Sequence, residues 1–366
     1  MQLINQTPAV AEATVTTGAD EDGPRIGMLT AKLTYLFDNH GRTAIDTQNP
    51  IPLFTEDQET ELGLLPSDAA QRRDPAFEVV LAGAAHAPEG RPAEQVVVGV
   101  QVGGLTRYLV VTGERAWIDH RTFTRPVPFA RMPLTFERAF GGTAEVFVDM
   151  ESAIDVRDPL NQRGRGFDAE AQAKQLAEFL EAPAGFPVIR NYQRSLPNLE
   201  HPDHRITHWD DAPRPYCWSA VPRDLGFSQI RYLELLQLQA EAGRQLAEDQ
   251  AINDLMLVQL HQRAHPDWII DLPPPRARVA MQGLRPEGTV AFELPQVRVH
   301  ADYILGERQG TRELAPHLMV LLPEQWRLYV VYRTAFTLET AADMERSFRL
   351  RLEQGWFQYP EQSNAQ

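Results

Sequence analysis

A chain of 366 residues, 43% hydrophobic and 23% charged, has the composition of a globular protein that can bury a sizeable core, and not of a fibrous or disordered one. Lys plus Arg total 35 against 50 for Asp plus Glu, a formal charge of -15, so the surface repels polyanions and no nucleic-acid partner is expected. The single cysteine, Cys217, allows no internal disulfide or cysteine-rich zinc set, the start from Met1 to Pro8 has no basic or apolar signal segment, and no apolar run approaches the ~20 residues of a membrane span; a cytoplasmic location without membrane contact is expected.

Residues 26–37, closed by Asp38, Asn39, His40 and Gly41, read as a strand ending in a turn. Another strand is expected at 77–81. The β-branched runs 95–102 and 107–112, around Gly103 and Gly104, predict a hairpin. From Asp168 to Leu180 the spacing predicts a helix with Asp168 as N-cap and Leu176, Phe179 and Leu180 as its apolar face.

Residues 183–223 hold seven prolines with Phe186, Tyr192, Trp209, Tyr216 and Trp218 interleaved. Each proline fixes φ and removes a donor, so this predicts a long extended segment laid over the body. From Leu225 to about Leu257, apolar and small residues recur at three to four positions (Phe227, Ile230, Leu233, Leu236), the pattern of an amphipathic helix. Strands return at 276–282, 289–294, 318–322 and 327–336, and Pro360 onward reads as a polar tail.

Strand signals at both ends of the chain are expected to share sheets. The fold class is therefore mainly β (α+β): an antiparallel β-sandwich or bent sheets with one or two helical insertions and a proline-rich covering loop. One domain is expected over 1–340, with helical insertions near 168–181 and 225–257, followed by an extension over 341–366.

His201, His204 and His208, with Glu200, Asp203, Asp210 and Asp211 nearby, have the donor types of a zinc or manganese site. Pro202 prevents the helical presentation that such a site favours, so a solvated loop is the plainer reading and a metal-dependent hydrolase the alternative. His261 and His265 have the spacing of two zinc ligands but lack the accompanying glutamate, and Pro266 stops the helix. The nucleophile-elbow, P-loop and dinucleotide-binding patterns are all missing. Cys217, between Tyr216 and Trp218, reads as a buried inert thiol. No catalytic residue, cofactor or metal is expected.

Two stretches stand out: Pro126 to Gly142, and Leu196 to Pro202. Arginines among prolines and aromatics make charge-assisted bonds to carboxylates or carbonyls of loops that lack a ladder, and paired glycines allow a turn that a side chain blocks. Arg131, Glu137, Arg138, Gly141, Gly142, Asn198 and Glu200 are accordingly read as a structural clasp.

Taken in order, Lys32-Leu33-Thr34, Arg131 to Gly142, Arg157-Asp158-Pro159, Gly164-Arg165-Gly166-Phe167, Leu196 to Glu200, Pro286-Glu287-Gly288, Phe292 to Pro295 and Arg327 to Arg333 resemble the family named domain of unknown function 2169. The resemblance spans roughly residues 1 to 340, with two or three residues inserted between Pro159 and Gly164, a reduced aromatic segment at 214–223, and a poor match over 224–252. Members sit beside type VI secretion spike and toxin genes. The resemblance therefore implies a non-catalytic adaptor or chaperone that binds a toxin effector or spike protein and helps load it; a structural part of the secretion particle is a further alternative. Trp209, Tyr216 and Trp218 are the candidate partner contacts, or else core anchors of the loop, and strand addition or a groove for an amphipathic segment is the expected binding mode.

Overall fold

The computed structural model describes residues 2–16, 25–68, 77–119, 121–190, 194–225, 263–338 and 346–354. The expected helix over 225–257 and Tyr192 fall almost wholly outside them. The described fold is mainly β, as its sequence predicts.

The Arg25–Phe37 strand is its axis. Neighbouring residues of a strand point to opposite faces, and here both faces are buried: Leu29, Leu33 and Tyr35 on one, Lys32 and Thr34 on the other. It pairs antiparallel with Arg327–Leu338 on one side and Val10–Thr16 on the other. The large sheet runs Gln2–Asn5, Arg346–Gln354, Val297–Leu305, Arg308–Leu322, Arg327–Leu338, Arg25–Phe37, Val10–Thr16. The segment set apart as an extension thus contributes a strand, antiparallel to Val297–Leu305 and parallel to Gln2–Asn5.

The Arg308–Leu322 strand belongs to two ladders. Residues 308–314 pair with Val297–Leu305, while 315–322 pair with Arg327–Leu338 and, in parallel, with Phe77–Leu81. Pro316 has no N–H to give, and the register shifts between Pro316 and Leu318, where the partners change. This bulge bends the sheet.

A second sheet runs Leu199–Glu200, Leu105–Thr112, Gln95–Val102, Arg278–Gln282, Val290–Glu293. Its predicted hairpin closes on Gly103 and Gly104, with Val102 opposite Leu105. Alternate residues Val98, Val100, Leu109, Val111, Val279 and Met281 are buried in the core shared with the large sheet, and Phe37 stacks on Phe292 across the two at 4.6 Å.

The second face of Arg25–Phe37 is covered by residues 46–68, which have little ladder of their own and are held by side chains. Lys32 Nζ lies 2.5 Å from Asp68 Oδ2, donates to the Pro52 carbonyl at 2.8 Å, and sits over the Phe54 and Tyr329 rings. Burial, the larger effect, outweighs Asp68 and pushes the Lys32 ammonium down to about 8. Thr34 Oγ1 accepts from the Ile51 N–H, Arg327 bonds Asp46, and Arg333 bonds the Asp68 carbonyl. The Lys32-Leu33-Thr34 and Arg327 to Arg333 motifs fasten this cover.

Residues 143–190 form a satellite. Thr143–Phe147, Ala153–Arg157 and Val188–Arg190 make a small sheet against the Ala169–Phe179 helix, around a core of their own that includes Ala144, Val146, Val156, Ala169 and Ala173. Asp168 caps the helix as expected, accepting the Glu170 N–H at 2.8 Å. The apolar face differs in part from expectation: Leu176 packs on this core as expected, but the other two do not. Ala169, Ala173 and Ala177 are the buried stripe, while Phe179 is 82% exposed and Leu180 is also exposed. Small side chains let the helix lie close on the sheet, and Phe179, about 200° round from Ala177, faces away.

The proline-rich stretch has little regular structure, but it passes through the core and not over it. Tyr216 to Val221 are all buried, and the Trp218 carbonyl accepts the Leu81 N–H at 2.8 Å. Where the described chain breaks off at Leu225 and resumes at Arg263, its two sides meet in a neck. There the Val221 N–H donates to the Arg263 carbonyl at 2.7 Å, and the buried Glu78 carboxylate accepts the N–H groups of Arg263 and Ala264 at 2.5 and 2.7 Å.

Candidate functional site

The clasp forms where the Phe136–Arg138 turn meets Leu199–Glu200. Arg138 Nη1 donates to Glu114 Oε1 at 2.8 Å and Asn198 Oδ1 at 3.1 Å, and the Arg138 carbonyl accepts the Asn198 N–H at 2.8 Å. Asn198, fully buried, also donates from Nδ2 to the Thr112 carbonyl at 3.0 Å, so it ties the turn to the second sheet. Glu200 is sealed beside Arg115 at 2.5 Å and accepts the Ile206 N–H at 2.8 Å.

Gly141 and Gly142 are held from the other side by Asn161. Its Nδ2 donates to the Phe136 and Phe140 carbonyls at 2.8 and 2.9 Å, and its carbonyl accepts the Gly142 N–H. Gly141 has φ +139, and a Cβ there would sit 2.0 Å from the Asn161 carbonyl oxygen, so no other residue fits. Asn161 lies between Pro159 and Gly164, and the motifs do not point to it.

Two clasp residues stand apart. Arg131 reaches away to Glu324 at 2.8 Å and Glu61 at 2.8 Å, because its short strand pairs with Ala84–His86 and not with the 196–200 run. Glu137 is exposed, with Arg163 the nearest cation at 3.8 Å. A cleft of about 340 Å³ runs along this region, walled by Leu64, Phe136, Glu137, Arg138, Arg163 and Arg165. Its arginines are bonded to carboxylates: Arg163 to Asp224 and Glu59, Arg165 to Glu114. The cleft is a charged wall whose polar groups hold one another.

Of the three candidate contact aromatics, Tyr216 and Trp218 lie in the core, 4% and 1% exposed, with Trp218 edge-on to Trp268. Burial takes both off the surface. Trp209 is half-buried, edge-on to Trp117 at 5.6 Å. Cys217 is buried beneath them, which pushes its thiol up to about 12, well away from thiolate chemistry.

The histidines divide differently from their order in the chain. A cavity of about 690 Å³ gathers His201, His204 and the distant His265 around Tyr216. His201 and His265 each accept a backbone N–H at Nδ1, from Asp203 and Asp267, which places the proton of the neutral ring on Nε2. His208 stands out in solvent beside Asp210, because its N–H and those around it turn toward Asp211. His201, His204 and His208 therefore do not converge, and among the described residues no three His, Cys, Asp or Glu side chains are grouped to hold a metal ion.

Among the exposed large apolar side chains of the described residues, Met150 (89% exposed), Phe179, Leu180, Ile154 and Val188 lie on the satellite, while others, such as Ile118, Val127 and Leu272, lie elsewhere. Among the described residues no helix is long and apolar enough to cross a membrane.

Comparison with curated proteins and with solved structures returned no match. A bacterial family does match, over residues 22–333, a span that holds the cover, the clasp and the neck. The chain belongs to this family, domain of unknown function 2169, described as an uncharacterized protein conserved in bacteria.

Proposed function

We propose that the chain is a non-catalytic adaptor that holds a client protein; in the type VI setting that the family resemblance implies, the client is a toxin effector or the spike component it travels with. The observation that carries this reading is the set of exposed apolar side chains on residues 143–190. Single exposed hydrophobics are ordinary, but several large ones on one small unit mark a surface for a protein partner. Met150 and Phe179 are the anchors, both almost free of contact with the body. The clasp fastens the start of the satellite to the sheets through Asn161, Gly142 and Asn198, which lowers the ordering cost of binding.

Affinity purification from the native host, with co-purifying proteins identified by mass spectrometry, tests this. A toxin-like protein or a spike component is expected with the unaltered chain and is expected to be depleted with Met150→Ser and Phe179→Ser together. Enrichment of neither, or undiminished recovery with the double variant at equal thermal stability, sinks the reading.

A further inference from the structure

Where the Arg308–Leu322 strand changes partners, the bulge at Pro316 opens a cavity of about 230 Å³. Phe77, Leu314 and Val330 are among its apolar walls, and Pro273, Pro274 and Pro295 form much of its lip. Prolines hold φ fixed, so the cavity keeps its shape without an occupant.

Two tyrosines supply its buried polar groups, and the exposed Arg276, Arg298 and Glu313 line it as well. Tyr35 and Tyr332 project from neighbouring strands of the large sheet, both more than nine-tenths buried, with their hydroxyl oxygens 3.2 Å apart. Each hydroxyl has one proton to donate. Whichever donates to the other, the second proton is left over, and neither hydroxyl has another hydrogen-bond partner among the described residues. A buried donor without an acceptor is destabilising unless something that enters the site accepts from it. Burial also raises the pKa of both phenols, Tyr332 to about 12, so the protons stay in place across the physiological range.

We propose that this cavity binds a small, neutral aromatic molecule bearing one hydrogen-bond acceptor, the chemistry of a phenol, with its ring against Phe77, Leu314 and Val330 and its oxygen accepting the spare tyrosine proton. The size fits, since an apolar cavity of ~150 Å³ takes up benzene, and this one has room for a substituted ring. Neutrality follows from the buried end, where the two phenols carry no charge to offset the desolvation of an ion and the charged side chains of the lining, Arg276, Arg298 and Glu313, are all exposed.

The test titrates p-cresol and toluene into the full chain, read by calorimetry and by the shift of the thermal midpoint. Both are expected to bind saturably, p-cresol about tenfold more tightly for one well-made hydrogen bond. Tyr35→Phe with Tyr332→Phe keeps the cavity's shape and removes both hydroxyls, so it is expected to erase the preference while toluene binding persists. Leu314→Phe fills the space and is expected to abolish both. Failure of both probes to bind the unaltered chain overturns the proposal. So does equal binding of the two, or a double variant that folds and still prefers p-cresol.

Discussion

Replacing Lys32 with methionine tests whether the covering segment is held by the buried ion pair. Lys32 and Asp68 are both almost fully buried, 2.5 Å apart. Without the ammonium, Asp68 Oδ2 keeps the Phe54 N–H at 2.7 Å, Oδ1 has no hydrogen-bond partner among the described residues, and the Pro52 carbonyl loses the lysine donor. Breaking one side of a buried pair leaves an uncompensated charge and costs about 3–5 kcal/mol. Adding Asp68→Asn removes that charge while keeping an acceptor for Phe54, and is expected to recover at least half of the loss. Urea unfolding followed by tryptophan fluorescence measures both, since Trp218 and Trp268 lie in the same core. A Lys32→Met variant within about 0.5 kcal/mol of the parent would refute the reasoning, because surface-like changes have effects of that size; so would a double variant no better than the single.

The same lysine carries a pH signature. Its folded pKa of about 8 lies below the ordinary 10.5, so the cost of burying the charge is present in full below pH 8; between the two values the unfolded chain binds the extra proton and stability rises with pH, by up to about 1.4 kcal/mol per unit. Denaturant midpoints from pH 8 to 9.5 are expected to climb in the parent relative to Lys32→Met, and parallel slopes would contradict this. In the clasp, Arg138→Ala loses one half-exposed ion pair and one bond to Asn198, about 1 kcal/mol, while Asn198→Ala, fully buried, costs about 2–3 kcal/mol; thermal midpoints in the reverse order would refute the assignment.

Much of the β framework is legible because period-two burial leaves a period-two sequence. Val96, Val98, Val100 and Val102 alternate inward along one strand, and Leu109 and Val111 answer them across the hairpin. Residues 308–313 have no such signal: all six are exposed, and they form a strand only because Val297–Leu305 offers a ladder. Phe348 and Leu350 do alternate inward, but a reading that treats the end of the chain as a tail passes over them. In the clasp, Arg138, Asn198 and Glu200 are found from composition, since arginine and amide donors among prolines signal loops that need fastening. Their partners are not. Asp68 meets Lys32 and Glu78 meets Arg263 by way of tertiary packing, at separations that no local period encodes.

These fastenings have a consequence for the surface. A chain with 28 prolines lacks many ladder donors, and arginine, with five N–H groups, replaces them: Arg138, Arg263, Arg327 and Arg333 each bond a carboxylate or carbonyl of an irregular segment. All but Arg333 take a carboxylate with them, so the surface keeps the carboxylate excess of a chain at -15. The fold and the partner should therefore respond differently to salt. The Lys32–Asp68, Arg115–Glu200 and Arg327–Asp46 pairs are shielded from solvent and little screened, whereas long-range attraction of the proposed client, for a basic one, is cut once the Debye length falls from ~10 Å at 0.1 M to ~3 Å at 1 M salt. Across that range the thermal midpoint is expected to move by no more than a few degrees, while the association rate with a basic client falls by about tenfold or more. A midpoint that drops steeply with salt would mean that exposed pairs, and not the buried ones, hold the loops.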